Sequence, residues 1–253
     1  MPTPKSLTET DVLTISDRFS DPTWLRDRRQ EAFKAFSDLQ WPTHRDEDWR
    51  FTDPRRIELG RDLAPATTTA NGPAGQMPAD VVVTDMATAA RDHADVVQAH
   101  LGTVVPPDEK FAALALSAFD GGAFVHVGPG GELDQPITID VQAVPGTQVR
   151  WVLIVVERQA KATVLVTQSG AADASTGSGT FGATVVDVVE AVVGDGATLN
   201  LVTTHRGRVG RDATYQQTEV TLGGQTVYVR PDVWLDGRGG SAELLGVYFP
   251  TGT

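Results

Sequence analysis

The sequence predicts a mainly β protein, a solenoid of short stacked strands preceded by a small helical N-terminal region. From residue 123 onward, turns recur at near-constant spacing, and the runs between them are rich in Val, Thr, Ile and Leu. Short strands at fixed spacing are typical of stacked coils, each contacting only its neighbours. The first 120 residues lack this spacing and instead contain apolar stripes of helical period.

The spacing of the turns is the main observation behind this fold class. Successive turns are separated by 16, 14, 36, 14, 14 and 15 residues, and they fall near Gly130, Gly146, Ala160, Gly196, Gly210, Gly224 and Gly239. The long step contains residues 169–179 (SGAADASTGSG), whose small polar composition is that of a loop. Without these 11 residues the step is 25 residues, about two short steps.

The helical region begins with a capped amphipathic helix. Ser20 or Asp21 is the expected cap, because both side chains can accept a backbone hydrogen bond, and Pro22 suits the first turn. One apolar stripe of helical spacing follows, formed by Leu25, Ala32, Phe33, Phe36 and Leu39.

Further elements complete the N-terminal part. Residues 87–101 predict a second helix, and a third is expected to start at Asp108. Residues 64–78 have the Pro, Gly, Thr and Asn content of a linker, and residues 81–84 predict one short strand.

Two domains are therefore predicted. Residues 1–120 form a helical region with a linker near residues 64–78, and residues 121–253 form the β core, which we interpret as truncated. Residues 242–249 are then an uncapped edge, which predicts self-association as a homodimer, with a frayed monomer as the alternative.

Strand faces follow from the alternation of side chains along a strand. Residues 150–156 (RWVLIVV) are apolar at both parities, which predicts that both faces are covered. Residues 226–235 alternate instead, and Val227, Val229, Val233 and Leu235 are expected to face the interior. The opposite face carries Tyr228, Arg230, Asp232 and Trp234. That face meets either the chain's own helical region, the favoured interpretation, or another protein.

Composition excludes several classes of function. Acidic residues number 33 against 21 basic ones, and the net charge of -12 argues against nucleic acid as a partner. Cysteine is absent, which excludes disulfides and thiolate ligands within the chain. No apolar stretch reaches the roughly 20 residues of a membrane helix, and the N-terminus lacks a signal-peptide core. We expect a soluble, cytoplasmic protein.

No nucleotide site is predicted. Gly177, Gly179 and Gly182 match G-x-G-x-x-G, but the following residues 183–193 are strand-like and offer no helix N-terminus to a pyrophosphate. A Gly-Lys pair is also absent, so the chain has no P-loop and is not itself an ATPase.

The histidines do not predict a metal site. The chain contains His44, His93, His100, His126 and His205. His93 and His100 are two helical turns apart, too far for a simple pair of ligands, so exposed helix histidines are expected. His205 begins HRGRVGR, a basic turn that either receives an anion or acidic partner or, the favoured interpretation, is a solvated loop.

Paired carboxylates are the remaining route to catalysis. Solenoids that cleave polysaccharides place two acids close together on one face. Asp187 and Glu190 have opposite strand parity and should point to opposite faces. The sequence therefore predicts no catalytic residue, no metal ligand and no enzyme, and it leaves cofactor-binding residues unknown.

Several segments together resemble the SufB/SufD family, in order and over about residues 21–253. They are residues 41–53 (WPTHRDEDWRFTD), 111–139, 151–164, 188–199 and 220–249. The N-terminal helix and WPTHRDEDW favour the SufD branch. The resemblance implies a right-handed parallel β-helix core and a C-terminal helical region that would lie beyond Thr253.

The resemblance also implies a function. It is that of a non-catalytic scaffold for iron–sulfur cluster assembly, bound to a SufB-like paralogue and the SufC-like ATPase. The family's cluster-related histidine and SufC-docking region would lie beyond Thr253, so we assign neither to a residue here, and we expect no tight binding of the ATPase. An iron–sulfur cluster would take its thiolates from the partner, and flavin binding by the complex is left open. The alternatives are a β-helix carbohydrate-active protein and a purely structural solenoid.

Overall fold

The computed structural model describes residues 7–50, 54, 63–73, 77–170, 183–202, 206–222, 229 and 231–249. The helices are α1 (Glu9–Phe19), α2 (Thr23–Asp38), α3 (Met86–Asp92), α4 (Ala94–His100) and α5 (Lys110–Ala118), with a 3-10 turn at Glu47–Trp49. The strands are β1 (Thr67–Asn71), β2 (Val81–Asp85), β3 (Gly122–Val127), β4 (Ile137–Ala143), β5 (Gly146–Val156), β6 (Lys161–Gly170), β7 (Ala183–Val193), β8 (Thr198–Val202), β9 (Arg206–Val209), β10 (Thr214–Leu222), β11 (Val233–Leu235) and β12 (Ser241–Phe249).

The strands form two six-stranded sheets. One, the helix-side sheet, has the order β2-β3-β5-β7-β9-β11, and the other, the outer sheet, has the order β1-β4-β6-β8-β10-β12. From β3 onward, successive strands alternate between the two sheets, so neighbours within a sheet run parallel. The first strand of each sheet is antiparallel: β2 pairs with β3, and β1 pairs with β4.

The predicted β-helix solenoid is therefore wrong. The chain has an α/β fold built on two separate mixed sheets, and its helices cover one of them. The spacing of turns indicates where one strand ends and the next begins, but it does not specify which sheet a strand joins. Nor does it reveal the antiparallel edge strands, which come from the N-terminal part; β1 lies within residues 64–78, the segment predicted as a linker.

Two apolar layers hold the fold together. Between the sheets, alternate residues of each strand meet, such as Ile139 and Val164 of the outer sheet and Ile154 of the helix-side sheet. The other face of the helix-side sheet is covered by helices, with Trp151 and Leu153 packed among Leu25, Met86 and similar residues. A sheet covered on both faces explains why residues 150–156 are apolar at both parities, as predicted.

The predicted stripe of α2 is confirmed, and a helix before it was missed. Leu25, Ala32 and Phe36 are buried. The predicted cap is wrong, because the N-cap is Pro22, without a side-chain cap hydrogen bond, and Ser20 is the C-cap of the preceding helix. The missed helix, α1, begins at a capping box in which Thr8 and Asp11 bond reciprocally.

The predicted helix over residues 87–101 is two helices. The backbone leaves helical geometry at His93, which both ends α3 and precedes α4. The break allows α3 and α4 to pack separately, with Ala89 and Val97 both buried.

Residues 226–235 do not form the predicted continuous strand. Val227, Tyr228 and Arg230 lie outside the described residues, and β11 contains only Val233–Leu235. Val233 packs partly against the core between the sheets, as predicted. Leu235 was expected to be interior but is 53% exposed, because β11 is the last strand described at its edge of the sheet.

Candidate functional site

Asp187 and Glu190 lie on opposite faces of β7, as their parity predicted. Asp187 faces the outer sheet and forms an ion pair with Arg150 of the neighbouring strand, with an Nε to Oδ1 distance of 2.6 Å. Glu190 faces the helices. The two carboxylates therefore do not converge on one substrate, which leaves the carbohydrate-active alternative without this pair of acids.

Glu190 is fully buried and accepts hydrogen bonds from the loop between α4 and α5. Its Oε1 accepts from the backbone N–H groups of Val104 (2.7 Å) and Val105 (3.2 Å). Its Oε2 accepts from the N–H of Gly102 (2.8 Å) and from Nε1 of Trp151 (3.2 Å). Burial raises the pKa of the Glu190 carboxyl, while these donors act in the opposite direction. This carboxylate fixes the loop to the helix-side sheet.

His93, His100 and His126 are each partly buried. His93 and His100 are half-buried, so the expectation of exposed helix histidines is wrong for both. The His93 ring stacks on Phe124 with centroids 6.0 Å apart, and burial lowers the pKa of His100. His126 has its Nε2 atom 3.5 Å from Oε1 of Glu157.

The described part of the chain contains no group of three His, Cys, Asp or Glu side chains able to hold a metal ion. His44 lies at an exposed turn, and His205 is outside the described residues.

The basic turn HRGRVGR does not present a free cationic cluster among its described side chains. Arg208 lies in β9 and pairs with Asp236, with Nε 2.9 Å from Oδ2. Arg211 pairs with Asp195, with an Nη2 to Oδ2 distance of 3.3 Å. Each of these two arginines therefore has an acidic partner within the chain, and both side chains remain largely exposed. Gly177, Gly179 and Gly182 lie outside the described residues.

The WPTHRDEDW segment is a packing element. The Phe111 ring of α5 makes an edge contact with Trp41 and a stacked contact with Trp49, with centroid distances of 5.6 Å and 5.1 Å. Beside them, the buried Lys110 donates from Nζ to the carbonyl oxygens of Phe36 (2.6 Å) and Leu39 (2.8 Å) at the end of α2. The cation thus satisfies carbonyl groups that a helix end leaves free.

Sequence reasoning missed Lys110 and Arg150, although a signal was present for each. Lys110 opens an otherwise apolar helix (KFAALALSA), and burial lowers its pKa. Arg150 has the same strand parity as the interior residues Val152 and Ile154. A charged residue on an interior apolar face indicates a specific polar partner, because a lone buried charge is costly.

The last strands of the two sheets leave apolar side chains exposed. β12 pairs with β10 on one side, and no described strand pairs with its other side. The exposed apolar residues near this edge are Val220, Trp234, Leu235, Leu244, Leu245, Val247 and Tyr248. These side chains form a concentration of exposed apolar surface at the last described strands of the two sheets.

Comparison with known proteins gives a family match for most of these strands. Residues 138–253, which contain β5 to β12 and nearly all of β4, match the family described as "SUF system FeS cluster assembly, SufBD core domain". The chain is a homologue of the SufBD family. An iron–sulfur cluster assembly SufBD family protein of Mycobacterium tuberculosis is 30% identical to it over 241 residues, covering 87% of this chain and 54% of the relative.

Two further relatives of the chain are also SufBD family proteins. A SufBD family protein of Mycobacterium leprae is 31% identical over 222 residues, covering 82% of this chain and 52% of the relative. A SufBD family protein of Mycobacterium bovis is 40% identical over 58 residues, covering 22% of this chain and 7% of that protein. The chain thus spans about half the length of the first two relatives. None of the described helices is long and apolar enough to cross a membrane.

Proposed function

We propose that this SufBD homologue acts in iron–sulfur cluster assembly as a non-catalytic scaffold. The observation that carries the proposal is the match of residues 138–253 to the SufBD core domain. The relatives that align with most of the chain are also iron–sulfur cluster assembly SufBD family proteins by name.

The side-chain chemistry supports a scaffold role. Iron–sulfur clusters are held mainly by cysteine thiolates, and this sequence contains no cysteine. The carboxylates weighed as a catalytic pair, Asp187 and Glu190, serve an ion pair and a buried loop anchor instead. A cluster built with this protein would therefore take its thiolates from a partner.

We further propose the SufD branch, with a SufB-like paralogue and a SufC-like ATPase as partners in the cytoplasm. The branch rests on the resemblance of WPTHRDEDW, whose two tryptophans pack against α5. The exposed edge of β12 offers backbone groups and apolar side chains to a second β protein. A flavin, if one takes part, would belong to the assembled complex.

The test is co-purification. The tagged chain is co-expressed with the SufB-like paralogue and the SufC-like ATPase of its host, and the retained proteins are identified by mass spectrometry. We expect the paralogue to be retained in stoichiometric amount and the ATPase to be recovered through it. A β protein of similar charge with the same tag is the control, and retention of neither protein would overturn the proposal.

A further inference from the structure

A small polar cluster lies between the two sheets at the amino end of β5. Val152, Ile154 and Val156 face the outer sheet from β5, and they belong to the apolar core between the sheets. Gln148 and Arg150 share their parity and therefore face the same way. Both are fully buried.

Several polar atoms of this cluster have no hydrogen-bond partner in the structure. Arg150 uses Nε and Nη2 for Asp187, at 2.6 Å and 3.3 Å, and its Nη1 remains unpartnered. Gln148 has partners for neither Oε1 nor Nε2. Buried polar groups in folded proteins are almost always hydrogen-bonded, so something from outside the chain is expected to complete this cluster.

The unpartnered atoms define the chemistry of that ligand. Nη1 of Arg150 and Nε2 of Gln148 are N–H donors, and Oε1 of Gln148 is the single acceptor. Asp187 balances the charge of Arg150 but accepts hydrogen bonds only from its Nε and Nη2 atoms. Most of the unpartnered atoms are therefore hydrogen-bond donors, which favours a ligand rich in acceptor oxygens.

The Asp187 side of the cluster is in contact with solvent. In the described residues, β9 pairs with β7 at residues 190–193 and not with the earlier part of that strand. The Asp187 side chain lies in this earlier part and is 23% exposed. Solvent therefore reaches the carboxylate that is paired with Arg150.

We propose that Gln148 and Arg150 bind a small oxyanion between the two sheets, beside the Arg150–Asp187 ion pair. Carboxylate, phosphate and sulfate share the required acceptor chemistry. The site is independent of the scaffold role, since it involves neither the β12 edge nor any cluster ligand.

The test uses sodium phosphate, sodium sulfate and sodium formate, with sodium chloride at the same ionic strength as reference. We expect at least one oxyanion to raise the melting temperature of the chain saturably above the chloride value. The same anion should shift the side-chain amide signal of Gln148 in 1H–15N spectra, assigned by its loss in Gln148→Met. The three anions separate a carboxylate site from a phosphate or sulfate site.

Two variants make the test specific. Gln148→Met keeps the shape of the side chain and removes its unpartnered atoms, so in chloride it should melt no lower than the wild type, and it should lose the oxyanion effect. Gln142→Met alters an exposed glutamine of β4 and should keep that effect. A melting temperature that responds equally to all four salts, or an oxyanion response that persists in Gln148→Met, overturns the proposal. A side-chain amide signal of Gln148 that does not shift with any of the oxyanions also overturns the proposal.

Discussion

At the residue scale, hydrogen bonds from three backbone N–H groups and the Trp151 indole converge on the buried carboxylate of Glu190. The residues that donate from the backbone span 102–105, a loop without regular secondary structure. Such a loop relies on side chains for the hydrogen bonds that a helix or sheet would supply. Glu190 thus links the helical region to the helix-side sheet.

Replacement of Glu190 by Gln tests this link. An amide accepts at one end only, so two of the N–H donors would lose their acceptor, and we expect a loss of roughly 2 to 4 kcal/mol in the free energy of unfolding. Urea unfolding followed by circular dichroism measures it. Glu31→Gln, at an exposed position of α2, is the matched control and should change stability by less than about 0.5 kcal/mol.

The pH dependence of the same variant follows from the raised pKa of Glu190. Because the folded state keeps this proton at a pH where the unfolded chain has lost it, the carboxyl's contribution to stability falls as pH rises above about 4.3. The amide of the Glu190→Gln variant does not titrate. The difference in stability between wild type and this variant should therefore narrow from pH 4 to pH 7. A difference that widens from pH 4 to pH 7 would mean that the pKa of Glu190 is lowered, because its four hydrogen bonds would then stabilise the charged carboxylate more than burial destabilises it.

Val233 and Leu235 form a matched pair on β11. Val233 is half-buried against the core between the sheets, whereas Leu235 is exposed. We expect Val233→Ala to cost about 1 kcal/mol and Leu235→Ala to stay within about 0.5 kcal/mol. Thermal unfolding of the two variants checks this, and equal losses of stability would contradict the difference in burial between the two side chains.

At the element scale, β12 is the last described strand of the outer sheet, and one of its two edges is unpaired. This strand is nine residues long and pairs in parallel with β10 over its whole length. No strand in the described part of the chain bonds to its other side. Unpaired strand edges template pairing with another chain.

We therefore predict that the chain self-associates through β12, and that Val247→Lys suppresses this association. Val247 is exposed on the edge strand, and a lysine there opposes edge-to-edge pairing. Sedimentation velocity from low to high micromolar concentration measures the association.

Val220→Lys is the matched control for this experiment. Val220 is paired with Val247 in register and is also exposed, but its strand is bonded to β12 along its whole length and to β8 at residues 214–218, so it is not the last strand of the sheet. This variant should still associate. A constant monomer for wild type and both variants would exclude pairing through β12.

The elements also differ in how well the sequence predicts them. The stripe of α2 and the buried run of β5 were predictable, because burial on one or both faces directly determines which side chains are apolar. The break at His93 was not, since the apolar pattern continues through it and only packing on the sheet separates α3 from α4. The site residues Gln148 and Arg150 were also not identified, because parity alone does not reveal which buried atoms lack partners.

At the scale of the whole molecule, we predict that the isolated chain binds no iron–sulfur cluster, because it offers no thiolate. Anaerobic reconstitution with iron and sulfide, followed by analysis of both elements, tests this. A stoichiometric visible chromophore would contradict it. The same reconstitution with the SufB-like paralogue present is the positive control.

The sequence by itself determined the helical first part, the β-rich second part, the absence of thiolates and the family resemblance. These properties depend on residue type and local spacing, which the chain carries directly. Only the tertiary structure decided that the strands form two mixed sheets, that β1 and β2 join them antiparallel, and that Glu190 anchors a distant loop. The physical reason is that sheet membership and buried polar pairing depend on contacts between residues far apart in the chain, and a repeat of turns does not encode such contacts.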